Sequence, residues 1–355
     1  MTEMTSRERV LAALDHRETD RIPIAIVCGG INPPAMQALD EFLRKDRGID
    51  AASYIDSFLD VAEVWVTGDF DQELDMWGVA RKMVSYGAGS YSEIVHYPLR
   101  DMETLQEIRQ YAYPRVRDMD VEARVGEIRQ LRKKSHQAIV LANANLFETS
   151  WYMRGLEQAF EDMLLQPDLI HFVMDRVTTF FTDYFYEILK RCRGEIDMVF
   201  TADDIGQQDG LLLSLDMWEE FIKPYHVRIN EMIHNMDARV IYHTDGAVSE
   251  AVPGLMDMGI DVLQALQFSA ANMDPRDLKD KFGSRLCFEG GMCVQKVLPF
   301  GGTEEVRAEC RRLISILGKK GGYLCGPSHF IQAGTPAENI AAFFDEALGF
   351  YPFSI

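Results

Sequence analysis

Short apolar runs recur along the chain at residues 22–27 (IPIAIV), 62–66 (AEVWV), 138–143 (AIVLAN), 197–204 (DMVFTADD), 239–243 (RVIYH), 261–264 (DVLQ), 285–291 (RLCFEGG) and 321–326 (GGYLCG). Each is too short for a helix and is bounded by glycine, polar or charged residues, so each predicts a buried strand. Between them lie segments of helical period: METLQEIRQYA, MWEEFIKPYHVRINEMIHNM, AVSEAVPGLMDMG, DPRDLKDKFG, EEVRAECRRLISILG and PAENIAAFFDEALG. A longer stretch, GLEQAFEDMLLQPDLIHFVMDRVTTFFTDYFYEILKRC, reads as two helices broken at Pro167. Near the start, Thr5 to Glu8 (TSRE) fits a capping box that opens an amphipathic helix. Strands of continuous apolar character separated by helices predict a parallel sheet covered on both faces, an α/β architecture. Eight such strands favour a closed barrel over an open sheet. Residues 67–137, rich in Tyr, Asp and Gly, fit the alternation poorly. They predict an insertion over one face of the barrel, with a short hairpin that helps wall a pocket. One domain spanning residues 1–355 is the expectation.

Barrels of this kind carry their chemistry at the C-terminal ends of the strands. Those ends hold Cys28, Asn143, Asn145, Asp203, Asp204, His243, Asp245, Gln264, Gln267, Glu289, Cys325 and, just beyond, His329. A rim so dense in ligands and proton-transfer groups is hard to attribute to packing. His243, Asp245 and Cys325 form the candidate metal set, because imidazole, carboxylate and thiolate all bind zinc and three protein ligands leave one position open for catalysis. Other roles stay open for each. His243 could serve as a hydrogen-bonding residue, Asp245 could cap the helix that follows, and Cys325 could be a small core residue. His329 is a fourth ligand, a general acid or a solvent-facing residue. Of the adjacent Asp203 and Asp204, one is expected to face the pocket and the other to organise the loop, since neighbours on an extended chain point in opposite directions. Asp203, Glu289 and His329 are the candidates for proton transfer. Asp204, Asn143, Trp151, Arg154 and Gln267 are the candidates for substrate contact, with Trp151 as a wall and Arg154 as an anion contact; a core Trp and a helix-surface Arg are the competing readings. No glycine-rich phosphate loop, GxSxG or HExxH is present.

Composition narrows the partners. Hydrophobic residues make up 47% of the 355, enough for a large core, and the net charge of −20 repels phosphate backbones and anionic lipid surfaces. Nucleic acid is therefore excluded as an expected partner. No stretch approaches eighteen uninterrupted apolar residues and the N-terminal MTEMTSRERV lacks an apolar core, so neither a membrane span nor a signal peptide is expected and the cytoplasm is the expected location. The six cysteines are scattered without a CxxC pair, which predicts reduced thiols rather than disulfides.

Five segments, TSRERVLAALDHRETDRIPI, FETSWYMRGLEQAFEDMLLQPD, DDIGQQDGLLLSLDMWEEFIKPYH, YHTDGAVSEAVPGLMDMGIDVLQALQ and GGYLCGPSHFIQAGTPAENI, together resemble the uroporphyrinogen decarboxylase superfamily over almost the whole chain and in its order. The resemblance implies a TIM-type (β/α)8 barrel with an N-terminal helical extension. The superfamily contains two chemistries: cofactor-free decarboxylation of uroporphyrinogen, and zinc-dependent methyl transfer to or from a corrinoid protein. Decarboxylases carry an arginine-rich segment after the first strand, where this chain has CGGINPPAMQALDEF and no arginine until Arg44. The methyltransferase branch uses a His-x-Cys pair and a distant Cys as zinc ligands; His243 and Cys325 match the outer positions, while Asp245 replaces the middle Cys. The resemblance thus implies zinc, a methyl donor or acceptor of small size, and a corrinoid (methylcobalamin type) on a separate protein, because this chain has no DxHxxG corrinoid-binding pattern. An oxygen- or nitrogen-linked methyl donor suits the changed ligand. A homodimer is compatible with the resemblance. The alternatives are a metal-independent decarboxylase and a non-catalytic barrel that binds a tetrapyrrole or cobamide.

Overall fold

The computed structural model describes residues 3–28, 30–66, 73–85, 87 and 90–353. Seven strands form one parallel, curled sheet in the order β1 (Val61–Trp65), β4 (Ala138–Asn145), β5 (Met198–Ala202), β6 (Arg239–His243), β7 (Val262–Gln264), β8 (Cys287–Met292) and β9 (Tyr323–Pro327). These are seven of the eight strands the apolar runs predict. The remaining run, residues 22–27, makes a single parallel bridge, Ile24 to Cys325 on β9, and Asp60 N at the head of β1 donates to Ile24 O at 2.9 Å. It therefore lies against both edges of the sheet without forming a ladder. The expected hairpin is present inside the insertion: β2 (Ala80–Ser85) pairs antiparallel with β3 (Ser90–His96).

Alternation along each strand sorts its side chains between two cores. Val140, Phe200, Ile241, Val262 and Leu324 meet on the concave face, while Leu141, Val199, Tyr242, Phe288 and Cys325 pack outward against the helices. Both faces are buried, which is why the strands read as unbroken apolar runs instead of alternating ones. The break at Pro167 is where the sequence puts it, with helices Leu156–Leu165 and Pro167–Arg191 on either side; the second, 25 residues long, lays an apolar stripe from Leu169 to Leu189 on the outer face.

The helix Ser6–Leu14 opens with the predicted capping box of Thr5 and Glu8. Its Val10 and Leu14 join Val61, Ala138 and Met198 at the starts of the strands, so it plugs the end of the sheet opposite the strand C-termini. Arg9 fixes that plug. Its guanidinium reaches Asp60, wholly buried, at 2.7 Å and Asp20 at 2.6 Å, and Asp60 also accepts from Arg21 and from Ile24 N. With that end plugged, the strand C-termini are left to frame a cavity.

Candidate active site

A cavity of about 970 Å³ occupies the open end. Asn143 and Asn145 at the end of β4, Asp204 beyond β5, His243 at the end of β6 and His329 beyond β9 all line it, as does Cys28 in the first apolar segment. The hairpin contributes Met83, Tyr91 and Ser92 as one wall, and Trp65, Phe200 and Phe330 add aromatic surface. Among the described residues lining the cavity there is no Lys or Arg.

At its base Cys28, His243 and His329 bring their sulfur and ring nitrogens within 4.8 Å of one another; a second group, Asp204, His243 and Asp245, meets the same limit. Each side chain arrives by a legible route. Ile241 faces inward on β6, so His243, two residues on, does too. Cys28 follows the inward Val27 and would point outward, but its φ of 68° turns the chain and carries the thiol inside. His243 Nδ1 meets Gln264 Oε1, which leaves Nε2 for the cavity, 3.6 Å from Asp204 Oδ1. His329 Nε2 lies 3.8 Å from Asp245 Oδ2, and the two imidazole rings are 5.6 Å apart.

The electrostatics follow from burial and these neighbours. Burial pushes the Cys28 thiol up, but charge and hydrogen bonding from His243 and His329 outweigh it and bring the thiol down to about 6. Burial alone would lower both imidazoles; Cys28 and the nearby carboxylates instead hold them above the ordinary histidine range. Glu63, inward on β1 and accepting from Cys28 N at 3.2 Å, is raised to about 7, chiefly by burial. Glu289 sits deeper, fully buried, with neither carboxyl oxygen hydrogen-bonded among the described residues, and is held well above the carboxylate range by burial and by Glu63. Asp245 is raised by burial as well. Glu148, in the first turn of the helix Leu146–Arg154, lines the cavity and is raised to about 8 by burial and by Asp204 and Asp203.

Several sequence-derived roles need correction. Cys325 does not join His243 and Asp245: it is one residue past the inward Leu324, so its thiol faces the helix layer beside Cys310 and Tyr323. The cysteine whose sulfur meets His243 in a candidate metal-binding group is instead Cys28. Asp203 points away from the cavity, again by alternation. Its carboxylate accepts from Phe147 N and Glu148 N, both at 2.8 Å, and meets His226 Nε2 at 2.6 Å. The expectation that one of the adjacent acids faces the pocket and the other organises the loop is the arrangement observed, with Asp204 on the pocket side. Arg154 is buried and bound to Asp162 at 2.6 Å and to the carbonyls of Leu99, Arg100 and Met102, so it ties the insertion to the barrel and offers nothing to an anion. Trp151 lines a smaller neighbouring cavity of about 390 Å³. Gln267 accepts from Gly246 N and donates to Gln208 and Gln295, knitting the loops beyond β5, β6 and β8. Asn143 does line the cavity, with its Oδ1 buried and unpartnered among the described residues.

The sequence reading missed Glu63 and Glu148. The signal for Glu63 was an acid inside an apolar run (AEVWV), at the alternate position from the outward Val64. The signal for Glu148 was its place three residues past Asn145 at the end of β4.

Known proteins resemble this chain in two ways. A uroporphyrinogen decarboxylase of Thermosynechococcus vestitus is 24% identical over 185 residues, 51% of this chain and 49% of that protein, so the match spans about half the length of the relative. A methyltransferase from Methanosarcina mazei superposes with a TM-score of 0.72 at 18% identity, covering 97% of this chain and 98% of the other, and so shares its fold. The family model for uroporphyrinogen decarboxylase (URO-D) matches residues 73–349, most of the sequence, and the protein belongs to that family.

Proposed function

We propose that the chain is a zinc-dependent methyltransferase that exchanges a methyl group between a small substrate in the cavity and a corrinoid on a separate protein. The convergence of Cys28, His243 and His329 within 4.8 Å carries the reading. One thiolate and two imidazoles suit zinc, and three protein ligands leave the fourth tetrahedral position for a substrate atom. Gln264 supports the fit by engaging His243 Nδ1 and aiming Nε2 at the cavity. Glu63, Asp204, Asp245 and Glu289 surround the three ligands, with no lysine or arginine among the described residues of the cavity wall, an excess of acidic groups that a divalent cation would offset. Bound there, zinc would supply a Lewis acid to a substrate heteroatom.

The chain's own residues do the rest. Trp65, Tyr91, Phe200 and Phe330 provide apolar walls that exclude water from the substrate, and Asn143 Oδ1 offers an unengaged acceptor. The side chains of Asp204 and His329 are 44% and 39% exposed, so the cavity reaches solvent beside the ligands, where a partner's corrinoid would have to approach. The reading takes the Ile24 bridge as the closing contact of a TIM-type barrel. No described helix is long and apolar enough to cross a membrane, and all six cysteines are free, which suits a reducing cytoplasm.

The competing decarboxylase reading meets a physical obstacle. Uroporphyrinogen carries many carboxylates, and a wall with no lysine or arginine among its described residues offers them no countercharge. The deciding experiment is metal analysis of untagged protein after zinc reconstitution, followed by methyl transfer to cob(I)alamin from a panel of methyl donors. Wild type and Cys325→Ser should hold about one zinc per chain, whereas Cys28→Ser and His243→Ala should lose it. Zinc absent from wild type, or retained in Cys28→Ser, overturns the assignment.

A further inference from the structure

Methyl transfer from a heteroatom leaves that atom with an electron pair. A methylated ammonium departs as a neutral amine, but an ether oxygen departs as an anion and benefits from a proton. Glu63 and Glu148 both line the cavity with no lysine or arginine paired to them; Glu63 is engaged by Cys28 N within the proposed ligand set, which leaves Glu148, partly buried, facing substrate space. We infer that Glu148 is the acid that protonates the departing heteroatom, and that the methyl donor is accordingly an ether. This rests on the methyl-transfer reading.

The placement of Glu148 is the basis. It stands on the first turn of the helix Leu146–Arg154 and lines the cavity together with Asn145, Tyr152 and Asp204. A helix N-terminus ordinarily stabilises a carboxylate through its free N–H groups. Here the N–H groups of Phe147 and Glu148 are already taken by the buried carboxylate of Asp203, so the local field is cancelled by a negative charge. The charged and titratable groups facing Glu148 are Asp203 and Asp204 beyond β5, His243 on β6, Tyr152 on its own helix and, behind the Tyr152 ring at 5.1 Å, Arg81 of β2. Tyr152 OH donates to Oε1 at 2.8 Å and Asn145 Nδ2 to Oε2, which fixes the carboxyl without neutralising it. Its rise to about 8 agrees with a group that is protonated at neutral pH and can give that proton up.

The step balances. The carbon–oxygen bond breaks with its electron pair left on oxygen, and the methyl carbon bonds to cobalt through the electron pair of a cob(I)amide. The Glu148 O–H bond breaks, its proton goes to the oxygen, and an alcohol or phenol leaves a Glu148 carboxylate that water reprotonates.

Zinc-loaded full-length wild type and Glu148→Gln would be compared for methyl transfer to cob(I)alamin from anisole, 4-nitroanisole and tetramethylammonium, and by infrared difference spectroscopy at neutral pH. Wild type should use anisole, and Glu148→Gln should lose about 100-fold with anisole while changing less than about fivefold with 4-nitroanisole, whose leaving group needs no proton. Equal losses with both ethers, or tetramethylammonium as the preferred wild-type donor, overturn the inference. The difference spectrum reads the same carboxyl without turnover: a protonated-carboxyl C=O band should vanish in Glu148→Gln. Transfer by wild type with no such band overturns the role of Glu148 alone, whereas no transfer from any donor overturns the methyl-transfer reading and this inference with it.

Discussion

The chemistry at the base of the cavity turns on the direction a single side chain points. Cys28 is the one cysteine held between two imidazoles, which bring its thiol to about 6, while Cys287, buried near the plugged end, is pushed up to about 12. In metal-free protein Cys28 should therefore be the first cysteine alkylated by iodoacetamide. Thiolate is populated above the thiol's pKa, so the rate should rise through a midpoint near 6 and level off by neutral pH. Peptide mapping across a pH series checks this, and a midpoint near the ordinary cysteine value would mean that the imidazoles do not hold the sulfur. Asp203 gives a contrasting prediction. It is fully buried and satisfies two backbone N–H groups and His226, so Asp203→Ala leaves three buried donors without a partner and should cost about 3–5 kcal/mol in urea unfolding. A loss below about 1 kcal/mol would show that water replaces the carboxylate. Both residues show how far the sequence could be read. Strand ends were identifiable, but the parity within them decides function: Leu324 inward places Cys325 outward, and Phe200 and Ala202 inward place Asp203 outward and Asp204 inward. Cys28 defeats even parity, because its left-handed backbone reverses the direction that alternation predicts.

Elements hold these side chains in register through close contact between loops. The turns after β5 and β6 cross backbone to backbone at two glycines. A Cβ on Gly206 would lie 2.5 Å from Asp245 O, and one on Gly246, whose φ is 86°, would lie 2.5 Å from Gly206 C. The crossing also carries the hydrogen bonds from Asp245 N to Asp204 at 2.8 Å and from Ala247 N to Gln207 O at 2.7 Å. Gly246→Ala meets both a steric clash and an unfavourable φ, so it should destabilise by about 2–4 kcal/mol and, on the proposed metal reading, weaken zinc retention together. Melting temperature and metal content measured on the same preparation check the coupling; full zinc with a lowered melting temperature would separate the loop crossing from the site. The elements themselves were legible. Seven apolar runs became the ladder because both sheet faces are buried, and the capping box and Pro167 placed helix ends through local chemistry alone. The crossing was not legible, since it depends on two loops about forty residues apart meeting without side chains between them.

At the scale of the whole molecule, charge is the term that local packing does not set. A net charge of −20 at neutral pH is spread over a chain whose buried ion pairs, such as Arg9 with Asp60 and Arg154 with Asp162, are shielded from solvent ions. Exposed pairs such as Lys281 with Asp277 contribute little in any case. Added salt should therefore act mainly on the self-repulsion of the acidic surface, which opposes the compact state. The screening length falls from about 30 Å at 0.01 M to about 10 Å at 0.1 M, so most of the effect belongs to that interval. Raising sodium chloride across it at pH 7.5 should raise the melting temperature by a few degrees, and the same step near pH 5, close to the isoelectric point of about 4.8, should raise it by much less. Scanning calorimetry at both pH values checks the sign and the contrast. A melting temperature that falls with salt at pH 7.5 would mean that screened attractive pairs outweigh the repulsion, and that the surface charge is arranged in networks instead of being merely in excess.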